Sequence, residues 1–295
     1  MNLFLSVSIF LMLSGCTGTE STSPAKETGQ NKSEEAQEIN YDKVQEEPEE
    51  LGQEPLNYET EKERIIEQYE GITPTSWGEN VEGVITEIDT NEKIIALTFD
   101  ACDGTPDSFD EELINFLIEE DIPATIFIAG QWIEAYEEEF MELSDNPLFE
   151  MANHGYDHKP LSVNGELAYG IRGTQNVQET FEEIFKNQVL IQEMTGETPK
   201  YFRSGTAFYD EVSVEIASEL GLKIVNYNAL GDAGGTFNKS KIVESLEVAE
   251  PGSIYIFHMN QPQGEIARGV KEGVLQLKDQ GYEFMQLQEV DELLK

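Results

Sequence analysis

Short apolar runs alternate with amphipathic segments from residue 71 to the C-terminus. Seven runs have the length of β-strands: 94–99, 124–129, 148–152, 200–202, 223–227, 253–257 and 282–287. Five intervening segments repeat apolar residues every three or four positions, as α-helices do: 111–119, 179–194, 212–220, 241–248 and 266–280. This alternation predicts an α/β fold with a parallel sheet, in the form of a deformed (β/α) barrel of about seven strands.

The first 70 residues have a different composition. Residues 1–15 are mostly apolar and lead through Leu13-Ser14-Gly15 to Cys16, which resembles a lipobox and predicts a lipoprotein signal peptide with lipidation at Cys16. Residues 16–70 are acidic and polar, which predicts a disordered linker in which 59–69 could form a short helix. We therefore expect the folded domain to occupy 71–295 of an exported protein, anchored to the cell membrane and facing the envelope or exterior.

The chain is strongly acidic, with 59 Asp and Glu against 18 Lys and Arg and a formal net charge of −41. Binding to nucleic acid requires a basic surface that displaces counterions from phosphates. The charge therefore excludes nucleic acid as a partner. The sequence implies no oligomer.

Polar residues follow the predicted strands, and in a parallel barrel the chemistry lies at these carboxyl ends. The residues at these ends are Asp100 to Asp103, Asn153 and His154, Arg203, Asn228 and Asp232, and His258. The chain has three histidines, and all fall at or just beyond a strand end. His154 and His158 are four residues apart, a spacing that lets two imidazoles bind one metal ion.

The order of these motifs resembles that of the polysaccharide deacetylases, the NodB-homology enzymes of carbohydrate esterase family 4. The matching segments are Ile95 to Asp100, His154-Gly155-Tyr156-Asp157-His158, Phe202-Arg203, Asp232, and Ile254 to His258. The resemblance covers about residues 93–295 and implies a NodB-like barrel. It also implies a metal-dependent hydrolase that removes acetyl groups from a polysaccharide containing N-acetylglucosamine, such as peptidoglycan or a chitin-like glycan.

The resemblance implies a role for each matched residue. The acid–base group comprises Asp100 as general base, Arg203 as the residue that orients it and keeps it ionised, His258 as general acid, and Asp232 as the carboxylate that tunes His258. His154 and His158 match ligands of a divalent metal, which we expect to be zinc, with cobalt or another divalent ion as alternatives. By position, the backbone N–H of Thr206 would stabilise the oxyanion.

The first motif departs from the family pattern, which has two adjacent aspartates, the second a metal ligand. Here Ala101 and Cys102 separate Asp100 from Asp103. We predict Asp103 as the third protein ligand, with Asp107, Asp110, Cys102 or Asp100 itself as open alternatives. The third motif lacks the usual prolines, and Ala233 stands where the family has a tryptophan after the late aspartate. These changes on an otherwise intact motif set indicate a divergent subgroup.

Other functions use the same features. An O-deacetylase of acetylated polysaccharide would need the same residues. A non-catalytic, lipid-anchored glycan-binding protein would keep the barrel without turnover. A solute-binding lipoprotein would have two lobes and a hinge, whereas this chain has one barrel-sized set of repeats.

Overall fold

A computed structural model describes residues 57–295. The predicted signal peptide, the lipidation site Cys16 and the predicted linker up to residue 56 lie outside the described residues. Between residues 57 and 295, no helix is both long enough and apolar enough to cross a membrane.

The described part contains eight α-helices and thirteen strands. The helices are α1 (Tyr58–Tyr69), α2 (Glu111–Glu119), α3 (Gly130–Ala135), α4 (Glu137–Ser144), α5 (Val177–Thr195), α6 (Glu211–Glu219), α7 (Lys239–Glu247) and α8 (Ile266–Asp279). The strands are β1 (Trp77–Gly78), β2 (Val84–Ile85), β3 (Ile94–Ala101), β4 (Ala124–Ile128), β5 (Phe149–Asn153), β6 (Leu167–Ala168), β7 (Ile171–Arg172), β8 (Tyr201–Phe202), β9 (Tyr209–Asp210), β10 (Lys223–Val225), β11 (Ala229–Leu230), β12 (Ile254–His258) and β13 (Glu283–Phe284). A 3₁₀ helix, Leu287–Leu293, follows β13.

The centre of the domain is a nine-stranded sheet that curls into a half-barrel. Its strands run in the order β11-β12-β3-β4-β5-β8-β10-β2, with β13 paired to β3, and all the pairings are parallel. Each of the seven predicted strands overlaps one of these nine. The predicted α/β class and deformed parallel barrel are therefore confirmed, with two short strands, β2 and β11, added at the ends of the strand order.

Strand β3 places the first motif at the centre of the sheet. Its residues from Ile95 to Ala101 are buried, because β12 and β4 flank it and helices cover the sheet. The carboxyl end of β3 carries Asp100, and its register partner on β12 is His258. Parallel pairing thus brings the ends of β3, β4 and β12 to one edge of the sheet.

The five predicted helices correspond to α2, α5, α6, α7 and α8, with bounds that agree within two residues. Helices α3 and α4 were not predicted. Helix α1 was expected in the linker, but Ile65 and Tyr69 are buried in a core cluster with Phe181 of α5. The folded part therefore begins before residue 71, because α1 has an apolar face that its many glutamates obscure in the composition.

Candidate acid–base and metal site

Asp100 and Arg203 form a buried ion pair at the end of β3. Arg203 Nη1 donates to Asp100 Oδ1 at 2.7 Å, and the two side chains are 0% and 4% exposed. The guanidinium also donates to Thr98 Oγ1 and to the carbonyls of Val225 and Asn226. Burial raises the pKa of Asp100, but the charge and the hydrogen bond of Arg203 outweigh it and lower the pKa. The carboxylate is therefore held ionised.

His258 and Asp232 form a second charge pair at the end of β12. His258 Nδ1 lies 2.9 Å from Asp232 Oδ1, and the His258 backbone N–H donates to Asp232 Oδ2 at 2.7 Å. Because a carboxylate only accepts, the proton lies on Nδ1, and Nε2 is the nitrogen left for substrate. Burial lowers the pKa of His258, but the hydrogen bond and charge of Asp232 outweigh this and raise it. The pair therefore favours the protonated imidazole.

His154, His158 and Cys102 bring three ligand atoms together beside Asp100. His154 Nδ1 donates to the carbonyl of Arg203 at 2.9 Å, which fixes the tautomer and leaves Nε2 as the ligand atom. That Nε2 lies 3.8 Å from Cys102 Sγ and 3.6 Å from Asp100 Oδ2. The ligand atoms of Cys102, His154 and His158 all lie within 4.8 Å of one another.

The two imidazoles are held in the neutral form that binds metals. Burial lowers the pKa of His154 and lowers that of His158 to about 3. His158 Nε2 is buried without a hydrogen-bond partner, which is costly unless another group engages it. Burial raises the pKa of Cys102, as do the charges of Asp100 and Asp103. Two imidazoles and a sulfur at this spacing fit a divalent transition metal.

Asp103 has a different set of contacts. Its Oδ1 accepts from the N–H and the hydroxyl of Thr105 at 3.0 and 2.5 Å, and from Ser108 Oγ at 2.8 Å. Its Oδ2 lies 3.4 Å from Asn260 Nδ2. Among the residues that the structure describes, the group of ligand atoms contains Cys102 and not Asp103. Asp103 as metal ligand stays a prediction that this geometry does not favour.

The other acidic candidates lie outside this group as well. Asp110 Oδ1 accepts from the N–H of Leu113 at 3.0 Å and caps the N-terminus of α2. Asp107 is exposed and has φ of 64°. Asp100 has one oxygen committed to Arg203. The loop after β3 therefore offers the two histidines a sulfur more readily than a second carboxylate.

The loop that carries His158 is fixed by Glu183 of α5. The carboxylate of Glu183 accepts from the backbone N–H groups of Asp157 and Lys159, on either side of His158, at 3.0–3.1 Å. His158 itself has φ of 57°, an uncommon value for a residue with a side chain. Glu183 therefore stabilises a strained loop conformation, a role that was not predicted from the sequence. The sequence does contain one indication of this role, because Glu183 is an acidic residue on the apolar face of a predicted helix.

The third-motif loop brings Gly205, the residue before Thr206, against the same histidine. A Cβ at Gly205 would lie 2.2 Å from the carbonyl oxygen of His158, so glycine is required for this close approach. Within residues 57–295, no backbone hydrogen bond uses the Thr206 N–H, and Thr206 Oγ1 is buried without a partner. The N–H is therefore uncommitted, and its role as oxyanion donor stays a prediction.

Residues 87–225 match the polysaccharide deacetylase family. This match, the similar curated proteins and the shared fold together support a polysaccharide deacetylase domain of the NodB-homology type, carbohydrate esterase family 4.

Three similar proteins illustrate the range within this family. The peptidoglycan-N-acetylmuramic acid deacetylase PdaC of Bacillus subtilis (strain 168) is 23% identical over 210 residues, which cover 70% of this chain and 41% of PdaC. A peptidoglycan-N-acetylglucosamine deacetylase of Bacillus cereus is 24% identical over 241 residues, 79% of this chain and 80% of its own. The structure of BA3943, a CE4 family pseudoenzyme from Bacillus anthracis, shares the fold with a TM-score of 0.59 at 17% identity, covering 78% and 80% of the two chains. The chain spans less than half the length of PdaC.

Proposed function

We propose that this protein is a metal-dependent hydrolase that removes N-acetyl groups from a peptidoglycan-like polysaccharide of the cell envelope. One observation carries the proposal. Asp100 and His258 are opposite each other in the register of adjacent strands, and each has a buried partner of the opposite charge. The arrangement provides an ionised base and a protonated acid side by side, as amide hydrolysis requires.

The chain's own residues supply the proton transfers. Asp100 Oδ2, the oxygen not bonded to Arg203, takes the proton of the attacking water. The Thr206 N–H donates to the oxygen that becomes negative as the acetyl carbonyl is attacked. His258 then donates its Nε2 proton to the departing amine, while Asp232 holds the ring through Nδ1. Acetate and a free amino sugar are the products.

His154 and His158 would hold the metal, with zinc as the expected ion and cobalt as a substitute. A divalent ion bound there supplies Lewis-acid activation of the carbonyl and of the water. The unpartnered Nε2 of His158 and the neutral state of both rings support this part of the proposal.

The substrate class comes from the relatives. Both curated proteins described above are named for deacetylation of peptidoglycan sugars, one at N-acetylmuramic acid and the other at N-acetylglucosamine. We include export and lipid attachment through Cys16 in the proposal, because a membrane anchor would keep the enzyme beside an envelope glycan. An O-acetylated polysaccharide would be processed by the same residues and is one arm of the test.

The test measures acetate released from peptidoglycan, chito-oligosaccharide and acetylated xylan by the purified protein supplied with Zn²⁺ or Co²⁺. We expect release from at least one N-acetylated substrate and a loss of about 10²-fold or more for Asp100→Asn. Asp279→Asn is the matched control, because Asp279 is exposed at the end of α8. Release from xylan alone would select the O-deacetylase.

A second candidate function, glycan binding without catalysis, is supported by one specific observation. The fold is shared with the pseudoenzyme BA3943, so a non-catalytic glycan-binding protein is a real alternative for this architecture. The folded, metal-loaded protein would then bind the polysaccharide without releasing acetate. That result would overturn the catalytic proposal.

A further inference from the structure

We propose that Cys102, through its thiolate, is the third protein ligand of the metal held by His154 and His158. The inference rests on the proposed function, because it concerns the metal of that site. It replaces the carboxylate expected from the family pattern with a sulfur, and it follows from how the chain leaves β3.

Strand geometry directs Asp100 and Cys102 to the same side. Side chains alternate along an extended chain, so residues two apart face the same way. Asp100 is in β3 and Cys102 follows its last residue, Ala101. Ala101 and Asp103 occupy the alternate positions. The two residues inserted before Asp103 therefore bring a sulfur to the face that carries the general base.

The contacts of Asp103 agree with this alternation of side-chain directions. Three donors from Thr105 and Ser108 already engage its Oδ1, and Asn260 lies against Oδ2. Such a carboxylate is held in the loop after β3 through its Oδ1. Turning it toward the histidines would leave the donors of Thr105 and Ser108 unpaired, at a cost of about 1–3 kcal/mol for each donor that is buried.

The donor set fits a particular class of ion. Cys102 Sγ lies 3.8 Å from His154 Nε2, and all three ligand atoms lie within 4.8 Å of one another. Ligands of a tetrahedral zinc ion bound at 2.0–2.3 Å are separated by about 3.3–3.8 Å, so only small movements are needed. A thiolate with two imidazoles selects Zn²⁺ and Co²⁺ over Mg²⁺, Ca²⁺ and Mn²⁺. On binding, the sulfur–metal bond forms and the thiol proton passes to solvent.

Cobalt spectroscopy tests the ligand directly. A thiolate bound to Co²⁺ gives a near-ultraviolet charge-transfer band that oxygen and nitrogen ligands do not give. The chain has two cysteines, Cys16 and Cys102, so Cys16→Ser is the matched control. We expect the band in the wild type and in Cys16→Ser. The proposal is overturned if Cys16→Ser binds cobalt without the band, or if it binds no cobalt. This test does not depend on whether a Cys102 variant folds.

Two further variants locate the ligand. Cys102→Ser should lose the band and at least about tenfold in Zn²⁺ affinity, whereas Asp103→Asn should keep both. Loss of Zn²⁺ in Asp103→Asn together with retention in Cys102→Ser would assign the site to the carboxylate and overturn the inference. Cys102→Asp should bind metal without the band.

The metal measurements are independent of turnover. A charge-transfer band without acetate release leaves Cys102 as ligand and removes the proposed function. Acetate release without the band leaves the function and removes Cys102 as ligand. The two proposals therefore fail separately.

Discussion

Asp100 and His258 are register partners on β3 and β12, so the proposed base and acid stand at the ends of two adjacent strands. Their charges are set by different partners, Arg203 and Asp232. The separation of these two partners makes the acid and base limbs of the pH profile independently testable.

The alkaline limb of activity should depend on Asp232. The pKa of His258 is raised by Asp232, and the proposed acid must be protonated, so the rate should fall as pH rises through that pKa. Asp232→Asn removes the charge and should move this limb to lower pH, with a rate at least about 10²-fold lower. The measurement is kcat/KM against pH, with Asp279→Asn as control. An alkaline limb unchanged in Asp232→Asn would contradict the role of this pair.

The same pair should appear in the pH dependence of stability. The pKa of His258 is higher in the folded than in the unfolded chain, so its contribution is fully present below the unfolded value of about 6.5. The contribution is lost as pH rises through the folded pKa. Urea unfolding should therefore show this decrease in wild type and a smaller one in Asp232→Asn.

Removing Arg203 should destabilise the fold as well as the site. Arg203→Met leaves the carboxylate of Asp100 buried without its partner, which typically costs about 3–5 kcal/mol. The free energy of unfolding in urea measures the loss. Arg64→Met is the matched control, because Arg64 pairs with Glu61 and Glu219 at the surface, where such pairs contribute at most about 1 kcal/mol. Equal free energies of unfolding of the two variants would mean that the buried ion pair does not stabilise the fold.

Glu183 should affect metal affinity without touching the metal. Glu183→Gln places an amide N–H₂ against a backbone N–H of the His158 loop, so we expect Zn²⁺ affinity to fall about 10–100-fold. The neighbouring Glu182→Gln is the control, because Glu182 contacts Lys62 and Lys186 on the helix surface. Equilibrium dialysis compares the two. An unchanged affinity in Glu183→Gln would show that the loop keeps its conformation without the carboxylate.

Most strands of the sheet, and the proximity of the charged site residues, could be predicted from the sequence. Short apolar runs identify buried parallel strands, and the rule that chemistry lies at carboxyl ends identifies Asp100, Arg203, Asp232 and His258. Asp232, His258 and Asp100 lie together because they follow or end the adjacent strands β11, β12 and β3. Arg203 follows β8, two strands beyond β4, and its long side chain reaches Asp100 from there.

The direction of loop side chains could not be predicted in the same way. Whether Asp103 or Cys102 faces the histidines depends on the hydrogen bonds that Thr105 and Ser108 donate after β3, and no periodicity encodes them. The role of Glu183 could not be predicted for a related reason. Its function lies in two backbone N–H groups of a loop more than twenty residues earlier in the chain.

The start of the domain gives the last prediction. Helix α1 buries Ile65 fully against α5 and α6, in the segment that composition alone assigned to a linker. Ile65→Ala should lower the free energy of unfolding by about 2–5 kcal/mol. Ile72→Ala is the matched control, because Ile72 is 47% exposed and should change it by no more than about 0.5 kcal/mol. Urea unfolding compares them, and a chain that starts at residue 71 should be less stable than one that starts at residue 57. If that shorter chain were equally stable, α1 would be an appendage of the domain and not part of its core.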